Sequence, residues 1–186
     1  YINLNAVDVA KLEASKKRLI KAAEVAWLCG AKSVAFHPGY YLGGSKEKVY
    51  EKVKQQLKMV VAELKDAGCG IWVRPETTGK RSQFGDLHEI LRLCNEIDNV
   101  RPCIDYAHMH AREGDNNSYR EFSEMLSLVE KELVKEALKN MHIQIAGVNY
   151  SDKGELNHLT LKESDLKYSE IVKSWKEFNI AGVVIS

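Results

Sequence analysis

The sequence is short of the features that mark several protein classes. Four cysteines are spread over 186 residues, none closer than nine positions to the next. Without a Cys-x-x-Cys pair, a zinc ribbon or a disulfide-stapled secreted scaffold is disfavoured, and a reducing, cytoplasmic setting is expected. Net charge is almost absent, since 27 basic and 26 acidic side chains leave +1 at neutral pH. No global field therefore draws the chain to nucleic acid, and any such contact needs a local basic patch or metal ions. No charge-free stretch approaches the roughly 18 apolar residues that span a bilayer, and no basic-then-apolar leader opens the chain. Linkers rich in Pro, Gly and Ser are missing, as are low-complexity tracts. Neither a Ser-His-Asp order nor a glycine-rich phosphate loop stands out, and Gly43-Gly44 is only a weak loop signal.

What is present, 45% hydrophobic and 28% charged residues, is the composition of one ordinary domain and excludes disorder, collagen and coiled coil. Short β-branched runs alternate with long segments of 3.6-residue period. The expected strands are Ile2–Asn5, Ser33–His37, Gly70–Glu76, Val100–Asp105, His142–Val148 and Ala181–Ser186, with five helical segments between them. In the second segment Val49, Val53, Leu57, Val60, Val61 and Leu64 form one stripe, with Ser45 placed to cap its start and Gly68 to stop it. The fourth opens with Ser118-Tyr-Arg-Glu121, a capping box, and turns Phe122, Met125, Val129 and Leu133 inward.

Strand starts recur about every 36 residues, the size of a βα unit in a parallel sheet. Six such strands fit an open doubly wound sheet or most of a (β/α)8 barrel, which typically needs about 250 residues. The chain opens inside an apparent strand and halts in the apolar run Val183-Val184-Ile185. The expectation is therefore an α/β protein, a TIM (β/α)8 barrel with six of eight strands in a single domain over 1–186, cropped at both ends.

Barrel active sites assemble at the carboxyl ends of the strands, and polar residues gather there. His37, Glu76 and Asp105 end three successive candidate strands, and His142 lies at the start of the next as drawn. Two imidazoles and two carboxylates converging on one site suit zinc or manganese. Each has a plainer alternative: a loop histidine held by hydrogen bonds, or an aspartate capping the following helix. Asp105 and His108 form a D-x-x-H spacing that a turn can bring to one metal cluster. His110 and Arg112 continue a polar loop as candidate substrate contacts, and His158 lies in a second long loop from Asn149 to Ser164. His88 reads as a solvated helix residue, and Cys103 as core packing.

The pieces Tyr1-Ile-Asn-Leu4, Phe36-His-Pro-Gly39, Pro75-Glu76, Cys103-Ile-Asp-Tyr-Ala-His108, the strand with His142, and Asn157-His158 resemble the endonuclease IV family. These are zinc-dependent apurinic/apyrimidinic endonucleases within the xylose isomerase-like barrels. The resemblance implies hydrolysis of the phosphodiester 5′ to an abasic site in double-stranded DNA, by a monomer holding two or three zinc ions, with manganese as an alternative. It places His37 and Glu76 at one zinc, gives Asp105 and His142 a second bridged by Glu76, and makes Glu76 and Asp105 the catalytic carboxylates. His108 and His158 would hold the third, but the family's aspartate two residues before the second histidine is Leu156 here, with Glu155 one residue out of register. Tyr40, Tyr41 and Lys46 are the expected DNA contacts after His37. A rival resemblance is to sugar isomerases and epimerases of the same barrel group, which hold one divalent metal. There Glu76, Asp105 and His142 would be ligands, two carboxylates would move protons, and His108 would contact the sugar. His37 separates the two, being a ligand only in the nuclease. A non-catalytic barrel with a vestigial site is the third reading, and the retained ligands speak against it.

Overall fold

The computed structural model describes residues 1–186. In chain order the elements are α1 (Val9–Leu28), β1 (Ser33–Phe36), β2 (Gly39–Tyr40), α2 (Lys46–Asp66), β3 (Trp72–Pro75), β4 (Gln83–Phe84), α3 (Leu87–Glu96), β5 (Ile104–Asp105), α4 (Tyr106–Glu113), α5 (Tyr119–Leu133), a 3-10 turn (Lys135–Lys139), β6 (Met141–Gln144), β7 (Gly147–Ser151), β8 (Gly154–Leu159), α6 (Tyr168–Glu177) and β9 (Gly182–Ile185). They group into two compact units, one of residues 1–76 and 82–102, the other of 77–81 and 103–186.

In the first unit β1 and β3 run parallel, Ser33 opposite Trp72 through Phe36 opposite Pro75, and Val100 bridges to Val73 in the same sense. The α2 stripe is buried as expected at Val49, Val53, Leu57, Val60 and Leu64, with Val61 at its margin. Ser45 occupies the N-cap position without a side-chain capping bond. Gly68, with φ +70°, follows the last turn in the left-handed conformation that stops a helix. A capping box that the sequence reading missed opens α3: Asp86 accepts from the Glu89 amide at 2.9 Å while Glu89 accepts from the Asp86 amide at 3.1 Å. His88 is exposed on α3, as expected.

The strand expected at Ile2–Asn5 does not form. Side chains take two of its backbone donors, the Asn3 amide donating to Ser15 Oγ at 3.1 Å and the Asn5 amide to Asn3 Oδ1 at 3.0 Å, while the Leu4 amide donates to the Pro38 carbonyl at 2.8 Å without forming a ladder.

In the second unit β5, β6 and β9 form a parallel sheet with Ile104 opposite Ile143 and His142 opposite Val183. The Val100–Asp105 run contracts to two strand residues at β5; within it Pro102 has no N–H to give a ladder. The expected strand His142–Val148 is two strands, β6 and β7. A Cβ on Gly147 would lie 2.1 Å from the Thr160 carbonyl, so only glycine fits where the chain passes there. The expected long loop from Asn149 is the antiparallel hairpin β7–β8. The segment after Asp105 is helix α4 rather than loop; it is short and buried nearly all round, so it carries no amphipathic stripe. At α5 Ser118 Oγ accepts from the Glu121 amide, and the Glu121 carboxylate accepts from the Asn117 amide, one residue before the box position. All four cysteines are thiols, Cys103 fully buried. No helix is long and apolar enough to cross a membrane.

Candidate metal centre

In the first unit His37 and Glu76 directly follow the parallel strands β1 and β3, and the Glu76 amide donates to the Phe36 carbonyl at 3.0 Å. That bond sets the two strand ends level, and His37 Nε2 lies 3.0 Å from Glu76 Oε1. The carboxylate is buried and the imidazole partly exposed. The sequence reading of both residues as strand-end neighbours holds.

In the second unit Asp105 ends β5 and caps α4, its Oδ1 accepting from the His108 amide at 2.8 Å. Capping accounts for one oxygen, while Oδ2 lies 3.5 Å from His108 Nδ1. His108 Nδ1 is also 2.9 Å from the Thr77 carbonyl. A carbonyl only accepts, so Nδ1 carries the proton and Nε2 presents its lone pair, the tautomer a metal ligand needs. Nε2 faces Glu155 Oε2 at 3.4 Å, and Glu155 Oε1 lies 3.5 Å from His158 Nε2. The ligand atoms of His108, Glu155 and His158 lie within 4.8 Å of one another. When Nε2 is protonated as well, the His108 imidazolium, against the opposing effect of burial and with help from His158 and Lys80, holds the Glu155 carboxyl below the usual range; a metal ion would take the place of that proton.

Glu155 reaches this group through a β-bulge. Asn149 pairs with Asn157 and Tyr150 with Glu155, so Leu156 is the extra residue. In an even strand, positions 155 and 158 would face opposite sides; one extra residue restores Glu155 to the side of His158. The one-residue slip against the expected aspartate is absorbed here, while Leu156 itself is exposed. Gly79 walls the group: a Cβ there would lie 2.9 Å from Glu155 Oε2 and 3.0 Å from His108 Cδ2.

His142 is the second residue of β6 and buried, and Gln144, two residues on and on the same face, is the one level with Asp105. Neither Asp105 nor His142 belongs to the His108–Glu155–His158 group.

Of the five expected contact residues, Tyr41, His110 and Arg112 are buried, Tyr40 is partly exposed and Lys46 exposed. Tyr41 is buried with its hydroxyl donating to the Glu89 carboxylate at 2.7 Å, so it presents no DNA contact; apolar neighbours such as Phe84 draw the ring inward. Tyr40 is partly buried and stacks on Tyr1, ring centroids 5.9 Å apart. Lys46 is exposed and pairs with Asp86 at 2.9 Å. His110 is buried, with Nδ1 2.7 Å from the Asp115 carbonyl and Nε2 3.1 Å from Asp165 Oδ1. Arg112 is buried with its guanidinium bound to the carbonyls of Thr78 and Lys80. The expectation of substrate contacts in a loop is not met: these are inward-facing helix residues that anchor backbone.

Burial opposes ionisation of Asp165, but the Tyr150 hydroxyl at 2.8 Å and the His110 ring outweigh it and hold the carboxyl below its usual range. A lowered folded pKa gives stability that is complete above the ordinary aspartate value near ~4 and lost as pH falls through the lower folded value. The clasp of Asp165 on Tyr150 and His110 is thus expected to open in acid. Hydrogen exchange at the Lys167 amide, which donates to Asn117 Oδ1 at 2.7 Å, should lose protection below about pH 4 relative to its intrinsic rate.

A family model described as xylose isomerase-like TIM barrel matches residues 1–186. The chain belongs to the xylose isomerase-like TIM barrel family. It is 46% identical over all 186 residues to an uncharacterized protein of Methanocaldococcus jannaschii, of which it covers 67%. Among solved structures it is similar to a D-tagatose 3-epimerase-like protein (TM-score 0.75, 19% identity, 98% of this chain and 65% of that one). It is also similar to the IOLI protein with a bound zinc atom (0.72, 15%, 98% and 64%) and to 3-keto-D-glucoside 4-epimerase from E. coli (0.68, 16%, 98% and 66%). The chain spans about two thirds of the length of these proteins. The TIM-barrel expectation is met by this membership, and the family consists of enzymes that include isomerases, epimerases and endonucleases.

Within that family the donor set is the test of whether a metal fits. A histidine held in the Nδ1–H form, an ionised carboxylate and a second, accessible imidazole match the nitrogen and oxygen ligands of zinc. The sequence pattern leaves Glu155 one residue out of register and does not announce the strap 77–81 that holds His108. The glycine at position 79, three residues after a strand-end glutamate, was the available signal.

Proposed function

We propose that the protein is a metal-dependent phosphodiesterase of the endonuclease IV kind, acting on double-stranded DNA 5′ to abasic sites. The observation that supports it is the His108–Glu155–His158 group on α4 and the β7–β8 hairpin. A one-metal sugar isomerase would use His108 as a sugar contact and does not require a second ligand group there, whereas phosphodiester hydrolysis develops charge on several oxygens and is served by more than one cation. Bound zinc would neutralise that charge and lower the pKa of coordinated water. The chain's own part is to hold His108 Nε2 ready through Thr77, to keep Glu155 ionised, and to leave His158 accessible. His37 and Glu76 supply a second carboxylate–imidazole pair, and Asp105 and His142 offer a further carboxylate and imidazole at β5 and β6. The proposed metal is zinc, two or three ions, with manganese as the alternative.

The epimerase names of the similar structures, together with the Asp105-x-x-His108 spacing, favour a second reading: a one-metal sugar isomerase or epimerase using Glu76, Asp105 and His142. One experiment separates them. Zinc-loaded protein is incubated with a duplex oligonucleotide carrying one abasic-site analogue, with and without chelator. Chelator-sensitive incision on the 5′ side is the expected result. Folded, zinc-loaded protein that leaves the duplex intact, yet interconverts ketohexoses with manganese, would establish the sugar enzyme.

A further inference from the structure

The segment Thr77–Arg81 is a strap whose carbonyls are used on both sides. Thr77 O accepts from His108 Nδ1 at 2.9 Å, and Gly79 O accepts from the Glu155 amide at 2.9 Å. Two of the three residues of the His108–Glu155–His158 group are therefore set by this one short stretch. Glycine at 79 lets it pass within contact of both side chains, and a Cβ on Gly154 would in turn meet Gly79 O at 2.3 Å.

A strap with its carbonyls so disposed needs donors to hold it. Arg112 Nη1 donates to Thr78 O at 3.2 Å, Thr78 Oγ1 at 2.9 Å and Lys80 O at 2.7 Å. Arg81 Nε donates back to the Arg112 carbonyl at 3.1 Å. Arg112 is 6% exposed, so desolvating its charge is costly and these bonds must compensate it. His108 and Arg112 stand four residues apart on α4, hence on one helix face. The imidazole holds the strap at Thr77 and the guanidinium holds it at Thr78 and Lys80.

We infer that Arg112 is a positioning residue for metal binding: it fixes the Thr77–Arg81 strap at Thr78 and Lys80, and through the strap's Thr77 and Gly79 carbonyls it sets the His108 tautomer and the place of Glu155. This deepens the metal-dependent reading above and rests on it for its metal readout. Outer residues that orient ligands typically change metal affinity by about 10–100-fold.

The test compares wild type, Arg112→Met, Arg112→Lys and His158→Ala in zinc titrations against a chromophoric chelator, and follows Glu155 amide exchange in the metal-free protein. Expected for Arg112→Met are a cooperative melting transition, zinc affinity about 10–100-fold weaker, and faster exchange at Glu155 with Val53 unchanged. Arg112→Lys, which keeps a charged donor but not the fork, recovers part of both losses. Should Arg112→Met fail to fold, Thr78→Val, which removes one acceptor at constant shape, is expected to give a smaller shift of the same kind. Unchanged affinity and unchanged Glu155 exchange in a folded variant would overturn the inference, as would a uniform rise in exchange over all amides. If wild type and His158→Ala bind zinc alike, the metal reading of this group falls, and the Glu155 exchange result still decides whether Arg112 positions the strap.

Discussion

Glu76→Gln is expected to remove incision of the abasic duplex, by roughly 10³-fold or more, while leaving the melting temperature nearly unchanged. Glutamine has the shape of glutamate and keeps a carbonyl oxygen for His37 Nε2, now 3.0 Å from Glu76 Oε1. It loses the charge with which this buried side chain would hold a cation. Losing a metal's charge stabilisation costs several kcal/mol in the transition state, and about 4 kcal/mol corresponds to that factor in rate. Rate and zinc content should fall together, with the circular-dichroism melt as control. Full activity in the variant would remove Glu76 from the chemistry. The sugar-enzyme reading also uses Glu76, so this substitution tests whether metal chemistry depends on the strand-end carboxylate and leaves the substrate to the incision assay.

Residues that depend on local pattern were legible in the sequence. The α2 stripe, the glycine stop at 68 and the positions of His37 and Glu76 after apolar runs follow from periodicity and from the strand-end rule of the fold. The errors fall where long-range or side-chain bonds decide. Nothing local distinguishes Ile2–Asn5 from a strand; Ser15, twelve residues on, takes the Asn3 amide. Helix α4 is too buried to show a polar face, so His110 and Arg112 read as loop contacts although both are locked to backbone. The β7–β8 hairpin hid because Asn149, Ser151, Asp152, Lys153 and Asn157 are exposed polar residues, the composition of a loop. With the hairpin unseen, the bulge at Leu156 was unseen too, and Glu155 looked misplaced by one residue.

That bulge carries the prediction that separates the two functions. On the proposed reading, Glu155→Ala should abolish metal binding at His108 and His158, lowering zinc content by one ion and affinity at that group by more than about 100-fold, beyond the usual cost of losing an orienting neighbour. Stability should fall by only about 1 kcal/mol, the ordinary cost of a point substitution, for the lost contact with His108. Deleting Leu156 serves as the control. A regular ladder then sets Glu155 two residues before His158, still on the same face, so zinc is retained where the alanine variant has lost it. Incision should follow zinc across the pair, lost in Glu155→Ala and kept in the deletion. If Glu155→Ala keeps its full zinc content, Glu155 is no ligand and the bulge is only a feature of the hairpin. If zinc falls but ketohexose conversion is untouched, the triad is a separate metal site and the chemistry belongs to the one-metal set of Glu76, Asp105 and His142. The nuclease requires both groups, so only a joint loss of zinc and incision agrees with it.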